Sequence, residues 1–339
     1  MNRHLLLLLC AASIYASFLS WAYLQEKLSS SNYSISDLTP EHFHAPYFIN
    51  IIQCCCCILV GGSYLLYKTR RDPTLALIPS LPLKTWAILY AISVSQSISS
   101  PLGYMSLSHV DYVLFLLAKS CKLIPVMLVH YVAFGTIYPR SKYIVAATVT
   151  IGVVIFTIGG YSAKATSSTK SGNITLGMAM LCGSLLLDGF TNSAQDVIFK
   201  TTNGKITGSH LMTILNIFTL TNLTLYTTLC TNQFTYVREF VSRNGPAALV
   251  DVAKFAACGA LGQVSIFITL EKFNSVVLIT VTVTRKMLSM VLSVVLFGHV
   301  LNWKQWVGLI LVFAGIGLES LPKIFKSATP ETKVKAKTV

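Results

Sequence analysis

The sequence predicts an all-α polytopic membrane protein of about ten transmembrane helices, arranged as two inverted five-helix repeats. Three observations carry that expectation. Apolar runs long enough to cross a bilayer follow one another along most of the chain. Charged residues make up only 11% and hydrophobic residues 53%, against roughly 25% charged in soluble domains, and the mean hydropathy is +0.65. The third observation is a charged device that occurs twice. Val110 to Gly135 carries Lys119-Ser120-Cys121-Lys122 inside an apolar run, and Ser275 to Phe297 carries Arg285-Lys286 in another.

Lys119 and Lys122 are three apart, so on a helix they share a face. A base at a bilayer centre costs about 2.5–3.5 kcal/mol even on the lenient insertion scale. Two on one face are untenable against lipid, and they must line a wet or paired interior. Laying Lys122 on Lys286 brings Leu123 onto Met287, Val126 onto Met290 and Leu128 onto Leu292. After a one-residue gap, Tyr143 meets Trp306, Ile144 meets Val307 and Gly152 meets Gly315. A charged helix and the helix after it therefore match together. This points to a duplicated architecture with a cationic site at the interface of its halves.

The spans follow in order. Leu5 to Leu24 reads as an uncleaved first helix, since it is long for a signal peptide and many spans follow. Gln25 to Pro46 is a polar loop with a glycosylation sequon at Asn32. Tyr47 to Tyr67 is the second span, stopped by Lys68, Arg70 and Arg71; the third runs from Thr85 to Ser100 and is expected to break at Pro101. The fourth is the Lys119 stretch, with Pro125 bending it by removing a backbone donor. Tyr143 to Gly160 is the fifth, and the polar Tyr161 to Thr175, with a second sequon at Asn173, divides the halves. Leu176 to Phe199, Ser209 to Cys230, Ala247 to Leu270, the Arg285 stretch and Gln305 to Leu321 complete the second half. The resulting division is 1–160 for the first repeat, 161–175 for a lumenal linker, 176–322 for the second repeat and 323–339 for a basic cytosolic tail.

With both termini cytosolic, fifteen bases fall on the cytosolic side and seven on the other, the remaining four being intramembrane. That bias sets the orientation and puts both sequons in the lumen. The net charge of +14 belongs to helix ends and the tail. No soluble basic segment exists to hold a duplex, which excludes nucleic acid as a partner; the partner is the lipid bilayer. The nine cysteines lie in apolar segments, and Cys54-Cys55-Cys56-Cys57 fan around a helix axis rather than converge on a metal. The seven histidines show no metal-ligand spacing, and no phosphate-binding loop ending in Lys-Ser/Thr occurs. Neither an enzyme nor a cofactor or metal is expected.

Four midplane cations need countercharge. Asp188 is the acid placed well inside a span, and the bases it leaves unpaired suit an anion carrying phosphate, with Lys as a point charge and Arg as a fork. Thr282, Lys286, Ser289 and Ser293 form one polar stripe, and Tyr112 and Asn216 are placed to contact a base or sugar. Gln263 sits on a helix whose glycines suit close packing.

These residues carry a resemblance. Val110-Asp111-Tyr112, Ala118 to Val126, Leu187-Asp188-Gly189-Phe190-Thr191-Asn192, Thr282 to Lys286 and Gln305-Trp306-Val307-Gly308 resemble subfamily B of the nucleotide-sugar transporters, solute carrier family 35. The resemblance implies the drug/metabolite-transporter fold and exchange of a nucleotide sugar, UDP-galactose foremost, against a nucleoside monophosphate, UMP. It implies phosphate contacts for Lys119, Lys122, Arg285 and Lys286. It also leaves open exchange of ATP against ADP, which the same bases would serve, and a non-transporting role in lumenal folding stands as the reading from another class. One departure is Leu123, where relatives often have Pro. The tail ends Lys335-Ala336-Lys337-Thr338-Val339. Its lysines resemble the dilysine retrieval signal read by coat machinery, which implies the endoplasmic-reticulum membrane, with the Golgi second.

Overall fold

The computed structural model describes residues 3–35, 40–72, 75–121, 123–134, 140–164, 173–202, 206–273, 275–299 and 301–328. The described residues form twelve helices and no strand: α1 Arg3–Ser30, α2 Pro46–Arg71, α3 Leu83–Ser106, α4 Tyr112–Ser120, α5 Leu123–Phe134, α6 Arg140–Lys164, α7 Ile174–Thr201, α8 Gly208–Cys230, α9 Gln233–Asn244, α10 Ala247–Lys272, α11 Ser275–Leu296 and α12 Trp303–Ala328. Among the described residues, six stretches are long and apolar enough to cross a membrane: Leu5–Ser30, Pro46–Arg71, Tyr112–Val129, Lys142–Gly160, Ile174–Phe199 and Ala247–Thr269. The chain is a polytopic membrane protein. Helices α3 and α8 stay out of that group, being rich in Ser, Thr and Asn.

Three boundaries differ from the sequence expectation. Helix α1 continues past Leu24 to Ser30, because Gln25, Glu26 and Leu28 are buried and packing outweighs their polar spelling. Helix α3 runs through Pro101 to Ser106; Pro101 is buried, and membrane helices tolerate the lost bond where neighbours pack closely. A twelve-residue helix, α9, occupies what reads as a connection, burying Val237 and Phe240 against Tyr33 and Phe43.

The fourth span is broken in two. Pro125 has no N–H for the carbonyl of Cys121, four residues back. The chain tightens there instead: Cys121 N–H bonds Ala118 O at 2.9 Å and Ile124 N–H bonds Cys121 O at 3.2 Å. Helix α4 therefore ends just after Lys119, with Val113, Leu117 and Ala118 buried.

The most extensive helix pairs are α6 with α12, α3 with α7, α1 with α10 and α2 with α8. The first shows how close the backbones come. A Cβ on Gly308 of α12 would lie 2.5 Å from Gly152 O and 2.7 Å from Phe156 N of α6. Small residues permit that approach in a membrane, where lipid supplies no hydrophobic drive between helices.

Candidate functional site

A cavity of about 620 Å³ lies within the bundle, walled by α1, α2, α3, α4, α7, α8, α10 and α11. Its lining extends from mid-bundle to the end where α7 stops and α8 begins, reaching Phe199, Gly208 and Phe267. At the other end it stops at Gln25 and Tyr104, which also line a second cavity of about 300 Å³.

That second end is closed by bonded groups. Tyr112 Oη shares its proton between Ala22 O at 2.9 Å and Gln25 Oε1 at 3.0 Å. Glu26, only 2% exposed, meets His299 Nε2 at 2.5 Å. Lys27 pairs with Asp251 at 2.7 Å, and Tyr33 Oη donates to the same carboxylate at 3.1 Å. Asn244 donates to Glu41 at 2.6 Å. These bonds tie α1 to α4, α10 and the turn after α11, and the loop after α1 to α9 and α10.

The cations sit at mid-cavity. Lys119, Arg285 and Lys286 all line it; Lys122 lies outside the described residues. Lys119 Nζ contacts Asp188 Oδ2 at 2.6 Å and Ser184 Oγ at 2.8 Å, and Ser99 Oγ donates to Asp188 Oδ1. Asp188 thus neutralises one base while both side chains stay partly open to the cavity, at 25% and 31% exposure. Arg285 is held otherwise: its guanidinium stacks 4.3 Å from the ring centroid of Phe18, a cation–π contact. Its Nε is buried and has no hydrogen-bond partner among the described residues.

Arg285 Nε is one of several such groups. Trp21 Nε1, Thr219 Oγ1 and Ser289 Oγ also line the cavity region, buried and without a partner among the described residues. Buried polar atoms are nearly always satisfied. Four residues with such orphans line one cavity beside cations, an arrangement that suits a polar anionic ligand.

Of the residues singled out from sequence, Asn216 lines the cavity, with its Nδ2 donating to Met212 O at 2.7 Å. Ser289 lines it, its hydroxyl without a partner among the described residues. Tyr112 and Thr282 are not in the lining; Tyr112 is buried behind it, engaged with Gln25. Gln263 faces the cavity as well as belonging to a close-packed helix. Cys54 and Cys57 line it and Cys55 and Cys56 do not, as an axial fan requires. Among the described residues no group of three His, Cys, Asp or Glu is placed to hold a metal. Asn32 Oδ1 accepts from Ser34 N at 3.0 Å and Glu41 N at 2.9 Å, holding its loop, and Asn173 caps α7 by accepting from Leu176 N. Lys335 and Lys337 lie outside the described residues.

The sequence reading missed Phe18, Trp21 and Gln53. The first two, with Gln25, recur at helical spacing on α1, so an aromatic-and-amide stripe on an apolar helix was the available signal. What hid it is that aromatic stripes are usually core.

Comparison with known proteins places the chain in a family. The model of the UAA transporter family matches residues 6–323. The chain is 47% identical to "UDP-galactose transporter homolog 1" of Debaryomyces hansenii, covering 96% of this chain and 95% of that one. It is 44% identical to the protein so named in Candida albicans (99% and 94% covered) and 40% identical to that of Saccharomyces cerevisiae (96% and 97% covered). A solved structure 11% identical, covering 92% of this chain and 98% of its own, superposes with a TM-score of 0.47, below the level that carries an argument.

Proposed function

The chain belongs to the UAA transporter family, a family of nucleotide-sugar transporters, and we propose that it exchanges a UDP-sugar, foremost UDP-galactose, for UMP. The exchange runs from the cytosol into the lumen of the endoplasmic reticulum and supports glycosylation and folding there. The observation that carries this reading is the set of mid-cavity cations beside orphaned polar atoms. Lys119, Arg285 and Lys286 line one cavity, where a diphosphate would meet positive charge from three side chains and the Nε of Arg285, partnerless among the described residues. Lys122 is assigned to the same group by its repeat relation to Lys286. The names of the fungal relatives support uridine and galactose as the substrate's ends.

The packing supports two inverted repeats, 1–160 and 176–322. A twofold that takes α1 onto α7 and α3 onto α10 exchanges the α1–α10 and α3–α7 pairs, and leaves α2–α8 and α6–α12 in place. With ten spans and cytosolic termini, the cavity reaches the end that holds Lys68, Arg70, Arg71 and Lys84. That arrangement faces the cytosol, and the bonds about Glu26 and Asp251 close the lumenal end. Exchange fits the electrostatics: among the described residues the lining sets three cations against one acid, Asp188, so at low dielectric the protein rearranges more readily around a bound anion than around none.

Proteoliposomes loaded with UMP are expected to take up labelled UDP-galactose, and empty ones much less. No exchange with any uridine nucleotide sinks the reading. Competition by a panel of UDP-sugars, ATP and ADP separates it from adenine-nucleotide exchange, in which ATP and ADP alone would compete. Residence in the endoplasmic reticulum is proposed to rest on Lys335 and Lys337, read by coat machinery. Changing both to Ser is expected to shift the protein to the Golgi by fluorescence microscopy. Unchanged location assigns the address to the helices.

A further inference from the structure

The cavity has two chemically different ends on either side of its cations. Towards the open end lie flat rings, Phe199 and Phe267, with Asn192, Gln195 and Asn216. The closed end is walled by α1, α2 and α10, where Trp21 and Gln53 meet. A Cβ built on Gly259 of α10 would lie 3.0 Å from Trp21 Nε1 and 3.1 Å from Gln53 Nε2. The indole N–H and the amide therefore converge on one place, which only a glycine leaves room for.

One face of Trp21 is already taken. Phe255 stacks on the indole at 5.1 Å and 24°, and Phe18 meets it edge-on at 6.5 Å and 75°. The face that Phe255 covers is closed to a planar base. What remains is a buried indole donor without a partner among the described residues, with Gln53 beside it at Gly259 and Gln263 in the lining one helical turn further along α10. Indole N–H and amides match a ring of hydroxyls, each of which both donates and accepts. The far end offers exposed rings, which suit stacking on a base. Phe18 also links this wall to the cations, since Arg285 stacks on it.

We infer that Trp21, Gln53 and Gln263 form the subsite for the hexose of the nucleotide sugar, with the diphosphate on the cations and the base towards the open end. This rests on the exchange reading above. It also gives a reason for the two ligands to differ: UMP fills the base and phosphate positions and leaves the hexose wall untouched.

The test is binding of UDP-galactose and of UMP, by thermal shift and calorimetry, to the purified full-length chain. The variants are Gln53→Met, which keeps volume and removes the amide, and Trp21→Phe, which removes the indole N–H. UDP-galactose affinity is expected to fall about tenfold in Gln53→Met, the effect of one good hydrogen bond, with UMP affinity unchanged in both variants. Gly259→Ala, which fills the space between Trp21 and Gln53, is expected to weaken UDP-galactose and spare UMP as well. Equal weakening of both ligands would place the base there and overturn the assignment. Unchanged UDP-galactose binding in all three variants overturns it too. A wild type that binds neither ligand overturns the exchange reading itself, which keeps the two failures distinct.

Discussion

Replacing Arg285 with Gln is expected to weaken UDP-galactose and UMP alike, by about a hundredfold or more, because truncating one partner of a buried charged contact costs 2–5 kcal/mol. Arg285 is held from behind by Phe18, at 4.3 Å, and its Nε has no partner among the described residues. The side chain is thus positioned before ligand arrives, and little ordering is lost on binding. Gln keeps a polar group of similar reach but neither charge nor fork. Lys84→Gln, at an exposed base beyond the cavity, is the control and is expected to leave both affinities unchanged. Calorimetry on the purified variants decides the matter. Undiminished UMP binding in Arg285→Gln would remove the phosphate role from that residue.

The largest effect on stability is expected at the α6–α12 contact. A methyl group on Gly308 would stand 2.5 Å from the carbonyl oxygen of Gly152 and 3.0 Å from Phe156 Cα. Those neighbours are backbone, so no rotamer change relieves the clash and the helices must separate. Overpacking of this kind costs about 1–3 kcal/mol, occasionally more. Gly308→Ala is therefore expected to lower the melting temperature in detergent by about 5 °C or more. Gly317→Ala on the same helix meets nothing within 4 Å and is expected to be close to neutral. Equal melting of the two variants would mean that the helix pair is looser than its geometry.

Most helices were legible because they are written twice, once as an apolar run and once as the polar or basic residues that end it; the short polar α9 is not. Lys68, Arg70 and Arg71 close α2, and Asn173 caps α7. Proline was harder to read. Pro125 breaks its span and Pro101 does not, although both follow an apolar stretch. The difference is tertiary: a missing hydrogen bond is a local fact, and whether the helix survives it depends on what packs around it.

Lys119, Arg285 and Lys286 were legible as cavity residues from cost alone. A base inside a membrane span is too expensive to face lipid, so it declares an interior. The sequence by itself determined the class of protein, most of its helical segments and the bases that line the cavity. The tertiary structure decided which polar groups remain for that ligand. Tyr112 and Asn216 look equivalent in sequence, yet Tyr112 closes the bundle on Gln25 while Asn216 lines the cavity. Trp21 and Gln53 lie thirty-two residues apart on different helices and meet only because Gly259 of a third helix lets them. Charge announces itself in one dimension because its desolvation penalty is large wherever it is buried. A neutral hydrogen-bonding group becomes part of a site only when packing leaves it without a partner.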